Sequence, residues 1–430
     1  MFFKCNFFIC KIFGLNYTRI MRKILHVDLN SFYANVECLL DESLTGKAVA
    51  VTGSVSDRHG VVLAKNQRAK ELGIKTGMTA YQAKKLVPDI VFTETHHDLY
   101  LKYSRAAKAI YFEYTDFVES FGIDEAWLDV TNCRKFGGDA YKIADEIRNR
   151  VKEEIGLTVS VGVSFNKVFA KLGSDLKKPD AVSVISYENF KDIVYKLPVE
   201  NLLYVGRATK TKLNKLTIKT IGDLAKTSED VLVLHLGKWG SVLHSYALGK
   251  DFSEVKKYSE KDDYKSIGNS LTFYRDLDSN LDVETLLLLL AESVCSRMSD
   301  YGYKYARTVT LTIIDNLLTH TVRMGKLKHP SNVSADVAEL AMTLFKANFD
   351  WRTKVRGLGV AVSDFTNQDQ LTFDLDTAKQ EKKENLEQTV EYLRKRYGRT
   401  AINRAVVLRE KKFAELDIKE GHSGNSLGKK

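Results

Sequence analysis

Three acidic residues carry the first chemical question. Asp28 closes the stretch "KILHVD", and Asp124 and Glu125 stand side by side in "ESFGIDEAWLDV", residues 119–130. Both stretches read as strand, where neighbouring side chains point to opposite faces. Two adjacent carboxylates there are either surface positions or the sign of an interrupted strand. Gly122 can turn the chain, so that both acids sit at a strand tip. Asp28 lies at the end of its own strand, before a helix, where functional groups collect in α/β sheets. Carboxylates gathered from two strand ends repel one another unless a cation is present. An all-oxygen set with one or two carboxylates per ion suits Mg²⁺ alongside phosphate. Two such ions roughly 3.5–4 Å apart clamp the attacking and leaving oxygens of an in-line displacement at phosphorus. Taken alone, Asp-Glu after a glycine suits two unrelated surface acids better.

The elements that must position these acids follow from periodicity. "KILHVDLNSFYANVECLL" reads as a strand, a polar break and a helix capped by Asn30 or Ser31. "KAVAVTG" and "HGVVLAKN" are further strands. "QRAKELGIKTG" is a helix stopped by Gly73, and "TAYQAKKLVPD" one stopped near Pro88. A long amphipathic helix starts at His96, and "DAYKIADEIRNRVKEEIG" is another with apolar residues at helical spacing. "TVSVGVS" is a strand, and "NKVFAKLGSDLKKPD" a helix with a polar exit. Small lysine-rich helices fill residues 188–252, and "SEVKKYSEKDDYKS" reads as a linker. Residues 267–365 read as βαββαβ, a four-stranded sheet backed by two helices. Residues 366–430 are polar and charged, with one helical piece near 380–397.

At 430 residues and 44% hydrophobic, the chain is long enough for more than one core. Lys+Arg 65 against Asp+Glu 55 leaves a charge of +10, which favours nucleic acid or an anionic membrane surface as partner. The five cysteines are scattered, without CxxC or zinc-ligand spacing, as expected of reduced thiols in a cytoplasm-like compartment. Residues 1–20 are apolar and mildly basic, but Asn6 and Lys11 interrupt any signal-peptide core. The run is too short to span a bilayer. It reads as an appendage, or as an over-extended start with Met21 as the real first residue.

"HVDLNSFYANVE", then "SFGIDEAWLDV", then "SVGVSFNKVFAKLGSDLKKPD" together resemble, in the same order, the Y-family DNA polymerases, the translesion enzymes. The resemblance spans residues 22–365 and leans toward the UmuC-like branch of Gram-positive bacteria and their plasmids rather than the DinB-like branch. It implies an α+β multidomain fold of polymerase right-hand architecture. The extension would be 1–21, the palm 22–31 and 96–187, the fingers 32–95 and the helical thumb 188–252. A linker at 253–266, a little finger at 267–365 and a tail at 366–430 would complete it. The implied activity is template-directed DNA polymerisation without proofreading, by a cytoplasmic monomer that does not use a membrane. Its partners would be primer-template DNA, a dNTP and two Mg²⁺ ions.

The resemblance also assigns residues. Asp28, Asp124 and Glu125 would be catalytic and hold the metal pair, with Leu29 lending its backbone carbonyl. Tyr33 would be the steric gate, since a flat ring against the sugar admits deoxyribose and clashes with ribose; read without the motif, it is a packed aromatic at a helix start. A triphosphate needs cations nearby, and Lys167 in "FNKVFAK" matches the phosphate-contacting lysine. In "KNQRAKELG" Lys70 falls where relatives carry arginine, bringing charge without a bidentate fork. Arg68 is the alternative contact. Gln67 stands in a tyrosine position, Asn30 where many relatives have a second aspartate, and Gly122 where many have serine.

"LYVGRATKTKLNKLTIKTIGDLAK", residues 203–226, looks like a helix–hairpin–helix. Gly206, Arg207 and Lys210 would hold phosphate there without reading bases. The usual double-glycine hairpin is reduced to Gly206, with Tyr204 before it. In the little finger, Lys304, Arg307, Arg323 and Lys326 would track a DNA backbone, although alternation puts only some of them on one face. "QDQLTFDL" offers Gln370, Leu371 and Phe373 to a sliding clamp, in a version one residue short of the family's. Two rival readings remain: a non-catalytic DNA-binding subunit of a repair complex, and another two-metal palm enzyme such as a nucleotide cyclase. The first requires a lost carboxylate; the second has no use for the hairpin or the little finger.

Overall fold

The computed structural model describes residues 21–53, 60–258, 264–367, 377–398 and 401–414. They divide into two compact units: Met1–Val51, Leu63–Thr76 and Ala83–Glu260, and Thr52–Val62, Gly77–Gln82 and Lys261–Lys430. The extension at 1–20 lies outside the described residues.

The first unit opens with β1 (Ile24–Leu29) and α1 (Phe32–Leu40). Next come β2 (Val49–Thr52), β3 (Val62–Lys65), α2 (Gln67–Glu71), α3 (Ala80–Leu86) and β4 (Val91–Thr93), whose strands form a small sheet ordered β3-β2-β4. The chain continues through α4 (His97–Phe112), β5 (Val118–Ser120), β6 (Glu125–Asp129), α5 (Ala140–Arg150), β7 (Val159–Ser164), α6 (Lys167–Leu176) and β8 (Val182–Ile185). These strands and β1 make a five-stranded sheet, β5-β6-β1-β7-β8. Short helices α7 (Phe190–Val194), α8 (Arg207–Lys215), α9 (Ile221–Lys226), α10 (Glu229–Leu236) and α11 (Lys238–Ala247) follow.

β1 is central, and all six of its residues are buried. Leu25, Val27 and Leu29 pack on α4 and α5 through Tyr100, Ala107, Ile110, Ile143 and Ile147. The alternate face carries Ile24, His26 and Asp28 toward α6, where Ile24 meets Ala170 and Trp127. A histidine and an aspartate on a buried strand face must find partners, and α6 supplies them. That helix lies on β7 without a side-chain spacer. A Cβ on Gly162 would stand 1.9 Å from the Ala170 carbonyl oxygen, and Gly173 faces Gly162 from the helix side.

The predicted linker begins as a strap fixed to this unit rather than as free chain. Arg22 Nη1 and Nη2 donate to the carbonyls of Ser253 and Asp251 at 2.7 and 2.9 Å. The Lys256 amide donates to Glu119 at 3.0 Å, and Val255 is buried beside Ile24 and Trp127.

In the second unit β9 (Ser266–Leu277), α12 (Asn280–Asp300), β10 (Tyr305–Asp315), β11 (His320–Ser331), α13 (Ser334–Asn348) and β12 (Val355–Thr366) give the expected βαββαβ order. The sheet is antiparallel, ordered β11-β10-β12-β9. Val309, Leu311, Ile313, Leu358, Val360 and Val362 form its buried face with α12 and α13. The tail is more than a polar appendage. Helix α14 (Thr377–Tyr397) and α15 (Lys411–Ala414) follow β12, and Val407 and Phe413 join the same core. Arg394 and Arg404 close on Glu292 of α12 at 3.0 and 2.6 Å, with Arg394 and Glu292 both buried.

Candidate active site

Backbone pairing brings the three acids to one place. β1 and β6 run antiparallel in a register that sets Asp28 opposite Glu125. The Leu29 amide donates to the Asp124 carbonyl at 3.0 Å. The chain bends through residues 121–124 before β6 begins, so Asp124 stands outside the strand, free of its alternation. Gly122 is not left-handed, so the turn does not use the glycine freedom expected of it.

The side chains are adjacent but do not converge on a single point, as the sequence suggested. Among the described residues, no three His, Cys, Asp or Glu side chains form a ready-made metal cage. Asp28 Oδ2 lies 2.8 Å from Lys178 Nζ, which also meets Asp175 at 2.8 Å. Glu125 Oε2 pairs with Lys171 Nζ and lies 3.2 Å from His26 Nε2. His26 is fully buried, and its Nδ1 lies 2.8 Å from Ser174 Oγ. A carboxylate oxygen only accepts, so Nε2 donates to Glu125, while the Ser174 hydroxyl donates to the Lys171 carbonyl at 2.7 Å. Burial lowers the His26 pKa, against the opposing pull of Glu125.

Electrostatics separates the three acids. Burial alone would raise Glu125, but the His26 hydrogen bond and the Lys171 charge together hold it down at about 2. Burial raises Asp28 despite Lys178. Asp124 is pushed up to about 6 by burial and by the charges of Glu125 and Asp28. A carboxyl raised by its own neighbours, and two others neutralised by ammonium groups, make an all-oxygen set that calls for positive charge. That donor chemistry fits a hard divalent cation.

Helix α4 supports the site from its own side. Ser104 Oγ donates to the Ile123 carbonyl just before Asp124. Tyr111 is buried, and its hydroxyl has no hydrogen-bond partner among the described residues; burial and the charges of Asp28 and Asp124 raise its pKa. Lys108 on the same helix is lowered by burial, against the opposing pull of Asp124.

Tyr33 is half-buried on α1, within reach of the Asp124 charge. Its ring stacks on Tyr100 with centroids 4.1 Å apart and planes 10° from parallel. The Tyr100 hydroxyl donates to buried Glu37, which also lies 3.0 Å from His96 Nδ1. Asn30, in the aspartate position, holds the segment that carries Lys178: its Oδ1 accepts from the Asp180 amide at 2.9 Å, and its Nδ2 donates to Ser160 at 2.9 Å.

The expected cations divide. Arg68 and Lys70 are exposed on α2, without an ion-pair partner among the described residues. Lys167 departs from expectation. Its Nζ is held by Glu119 at 2.7 Å and by the Glu254 carbonyl at 3.4 Å, away from the trio. Lys178 and Lys171 face the carboxylates instead. Their signal was present in "KLGSDLKK", where Lys171 and Ser174 stand one helical turn apart and Lys178 follows just past the end of α6; His26 likewise shares the strand face of Asp28.

Gly206 caps α8, Arg207 is exposed at its first position, and Lys210 pairs with Glu200 at 2.6 Å. On the second unit's sheet, Lys326 lies opposite Thr308 on the face away from the helices. Arg323 does not share that face: its Nε donates to Asn348 of α13 at 2.7 Å, because it alternates with Lys326 along β11. Arg307 falls where the β10 register shifts, and the Lys304 ammonium sits 5.2 Å above the Tyr305 ring. Gln370, Leu371 and Phe373 lie outside the described residues.

Comparison with known proteins extends this geometry along the chain. Residues 27–175 match the impB/mucB/samB family, and residues 264–375 match that family's C-terminal domain. A DNA polymerase IV of Acetivibrio thermocellus is 48% identical over 91% of this chain and 98% of its own length. One of Moorella thermoacetica is 38% identical over 90% of this chain and 96% of its own. Among solved structures, a Y-family DNA polymerase chimera superposes with a TM-score of 0.69 at 26% identity, covering 80% of this chain and 99% of its own. With both domains matched in order around carboxylates set on paired strand ends, the chain belongs to the Y family and is a DNA-directed DNA polymerase of translesion type.

Proposed function

We propose that this polymerase joins a dNMP to a primer 3′-hydroxyl at Asp28, Asp124 and Glu125, releasing pyrophosphate. Family membership carries primer-template DNA and dNTP binding and a need for divalent metal. The observation that supports the residue assignment is the register that sets Asp28 opposite Glu125, with Asp124 beside them.

Asp28, Asp124 and the Leu29 carbonyl would hold a pair of Mg²⁺ ions, and Glu125 would complete the set on the primer side. Such ions stabilise charge on the attacking and leaving oxygens. Lys178 and Lys171 balance the carboxylates and present cations for a triphosphate, a role that suits them better than Lys167. His26 and Ser174 fix the Glu125 carboxylate by a directed hydrogen bond. Tyr33, braced by Tyr100, closes the sugar side against a 2′-hydroxyl. Arg68 and Lys70 add exposed positive charge. The proposed activity includes no proofreading step, so selectivity falls to base pairing. Among the described residues no helix is long and apolar enough to cross a membrane. We place the chain in the cytoplasm as a monomer, with Gln370, Leu371 and Phe373 as the residues that would bind a sliding clamp.

Primer extension with Asp124→Asn tests the assignment. Loss of a metal-bridging carboxylate costs several kcal/mol of transition-state stabilisation, roughly three orders of magnitude in rate. Extension at the wild-type rate would overturn it.

A further inference from the structure

Beside the hairpin that opens α8 lies an aromatic cluster the polymerase chemistry leaves unused. Tyr204 is 51% exposed, and Trp239, from the first turn of α11, is 54% exposed. Their ring centroids are 5.3 Å apart, and Tyr246 adds a third ring 6.4 Å from Tyr204. Tyr204 is also strained: its φ of 69° lies in the left-handed region, which glycine adopts freely and a tyrosine resists. A surface residue kept in such a conformation points to a use for its side chain. Two residues on, nothing stands within 4 Å of the place a Cβ on Gly206 would take, so the approach is open. Helix α8 has no side-chain cap, and Arg207 and Lys238 are exposed at the first positions of α8 and α11.

We infer that Tyr204 and Trp239 form a stacking platform for one strand of the primer-template duplex, packing on its sugars as its phosphates pass the hairpin. The inference rests on the polymerase reading above and deepens it. The chemistry fits a nucleic-acid strand: aromatic faces flanked by cations match its alternation of flat or apolar units with anionic phosphates. Two acids whose charge reaches Tyr204, Glu119 and Asp251, are already engaged by the Lys167 ammonium and amide. The Glu119 charge is thereby met by an ammonium, and Asp251 is buried away from the surface a DNA backbone would follow.

The test compares Tyr204→Gly, Tyr204→Phe, Trp239→Ala and Arg207→Ala in the full chain, by melting temperature and by primer-template affinity across a salt series. Tyr204→Gly relieves the left-handed strain, so it melts at or above the wild-type temperature. It nonetheless binds duplex roughly five- to tenfold more weakly. Its slope of log K against log salt stays at the wild-type value, because no charge is removed, while Arg207→Ala lowers the slope. Tyr204→Phe keeps the ring and the affinity. Duplex binding quenches the emission that Trp239→Ala removes. Tyr204→Gly binding as tightly as wild type, or Trp239 emission indifferent to saturating duplex, overturns the platform. Equal losses on single-stranded DNA overturn its assignment to the duplex. A wild-type chain that extends primers while these variants bind normally sinks only the platform; one that extends none sinks the polymerase reading.

Discussion

Asp124 is the residue on which opposing demands meet. Its folded carboxyl titrates at about 6 against an ordinary 3.8. The folded state therefore holds this proton more tightly than the unfolded chain does. The stability this group contributes is present below about pH 4 and is lost as pH climbs through 6. Without divalent metal, Asp124→Asn should accordingly be more stable than wild type at pH 7.5, by something on the order of 2 kcal/mol. Thermal melts should show the gain vanish near pH 3.5, where the wild-type acid is itself protonated, and shrink when Mg²⁺ is added. A variant less stable than wild type at pH 7.5 would contradict the sign. Tyr33 is the second such residue. Tyr33→Ala opens the sugar side, and the ratio of kcat/KM for ribonucleotide over deoxyribonucleotide should rise roughly 10- to 100-fold, the range of a relieved steric clash. Tyr100→Leu removes the ring on which Tyr33 stacks and should raise the same ratio by a smaller factor, whereas Tyr100→Phe should leave it near wild type.

At the scale of elements, α6 decides the site's geometry, because it rests on β7 through bare backbone. Gly162→Ala drives a methyl group into the Ala170 carbonyl, so the helix must lift. Overpacking of this kind costs about 1–3 kcal/mol, occasionally more, and here it also moves Lys171 and Ser174 away from Glu125 and His26. Denaturant midpoints and extension rates should fall together. Much of this element pattern was legible in advance. The alternation of "ILHVDL", the broken strand before Glu125 and the βαββαβ order of the second unit all follow from local periodicity. What local pattern could not show was contact with distant chain. Lys167 and Lys178 are both plausible cations on paper. Only the strap from residues 249–256, folding back on Glu119 and the start of α6, draws Lys167 away and leaves Lys178 on Asp28. The tail's helix near 380–397 was legible, but its docking was not: Val407 and Phe413 come from the short apolar pieces "AVVL" and "FA", parted by charged residues and too short to set a period.

Across the whole molecule, the second unit is completed by residues far beyond its last strand. Glu292 is buried on α12 and answered by Arg394 and Arg404. Removing one partner of such a buried pair typically costs about 3–5 kcal/mol. Glu292→Gln should therefore destabilise this unit by that order, with hydrogen exchange accelerating in α12 while β1 and β6 keep their protection. This dependence also bears on how the protein is made. Domains tend to close as synthesis proceeds, the earlier ones first. The sheet of β9–β12, however, lacks Val407 and Phe413 until the chain has grown to Phe413 and that residue has cleared the ribosome. A nascent or prematurely stopped product ending after β12 would carry an open apolar face and a buried acid, Glu292, without Arg394 and Arg404. Quality-control proteases would meet a partner-less hydrophobic surface, so interrupted messages should yield little accumulated polymerase even when every catalytic residue has been translated.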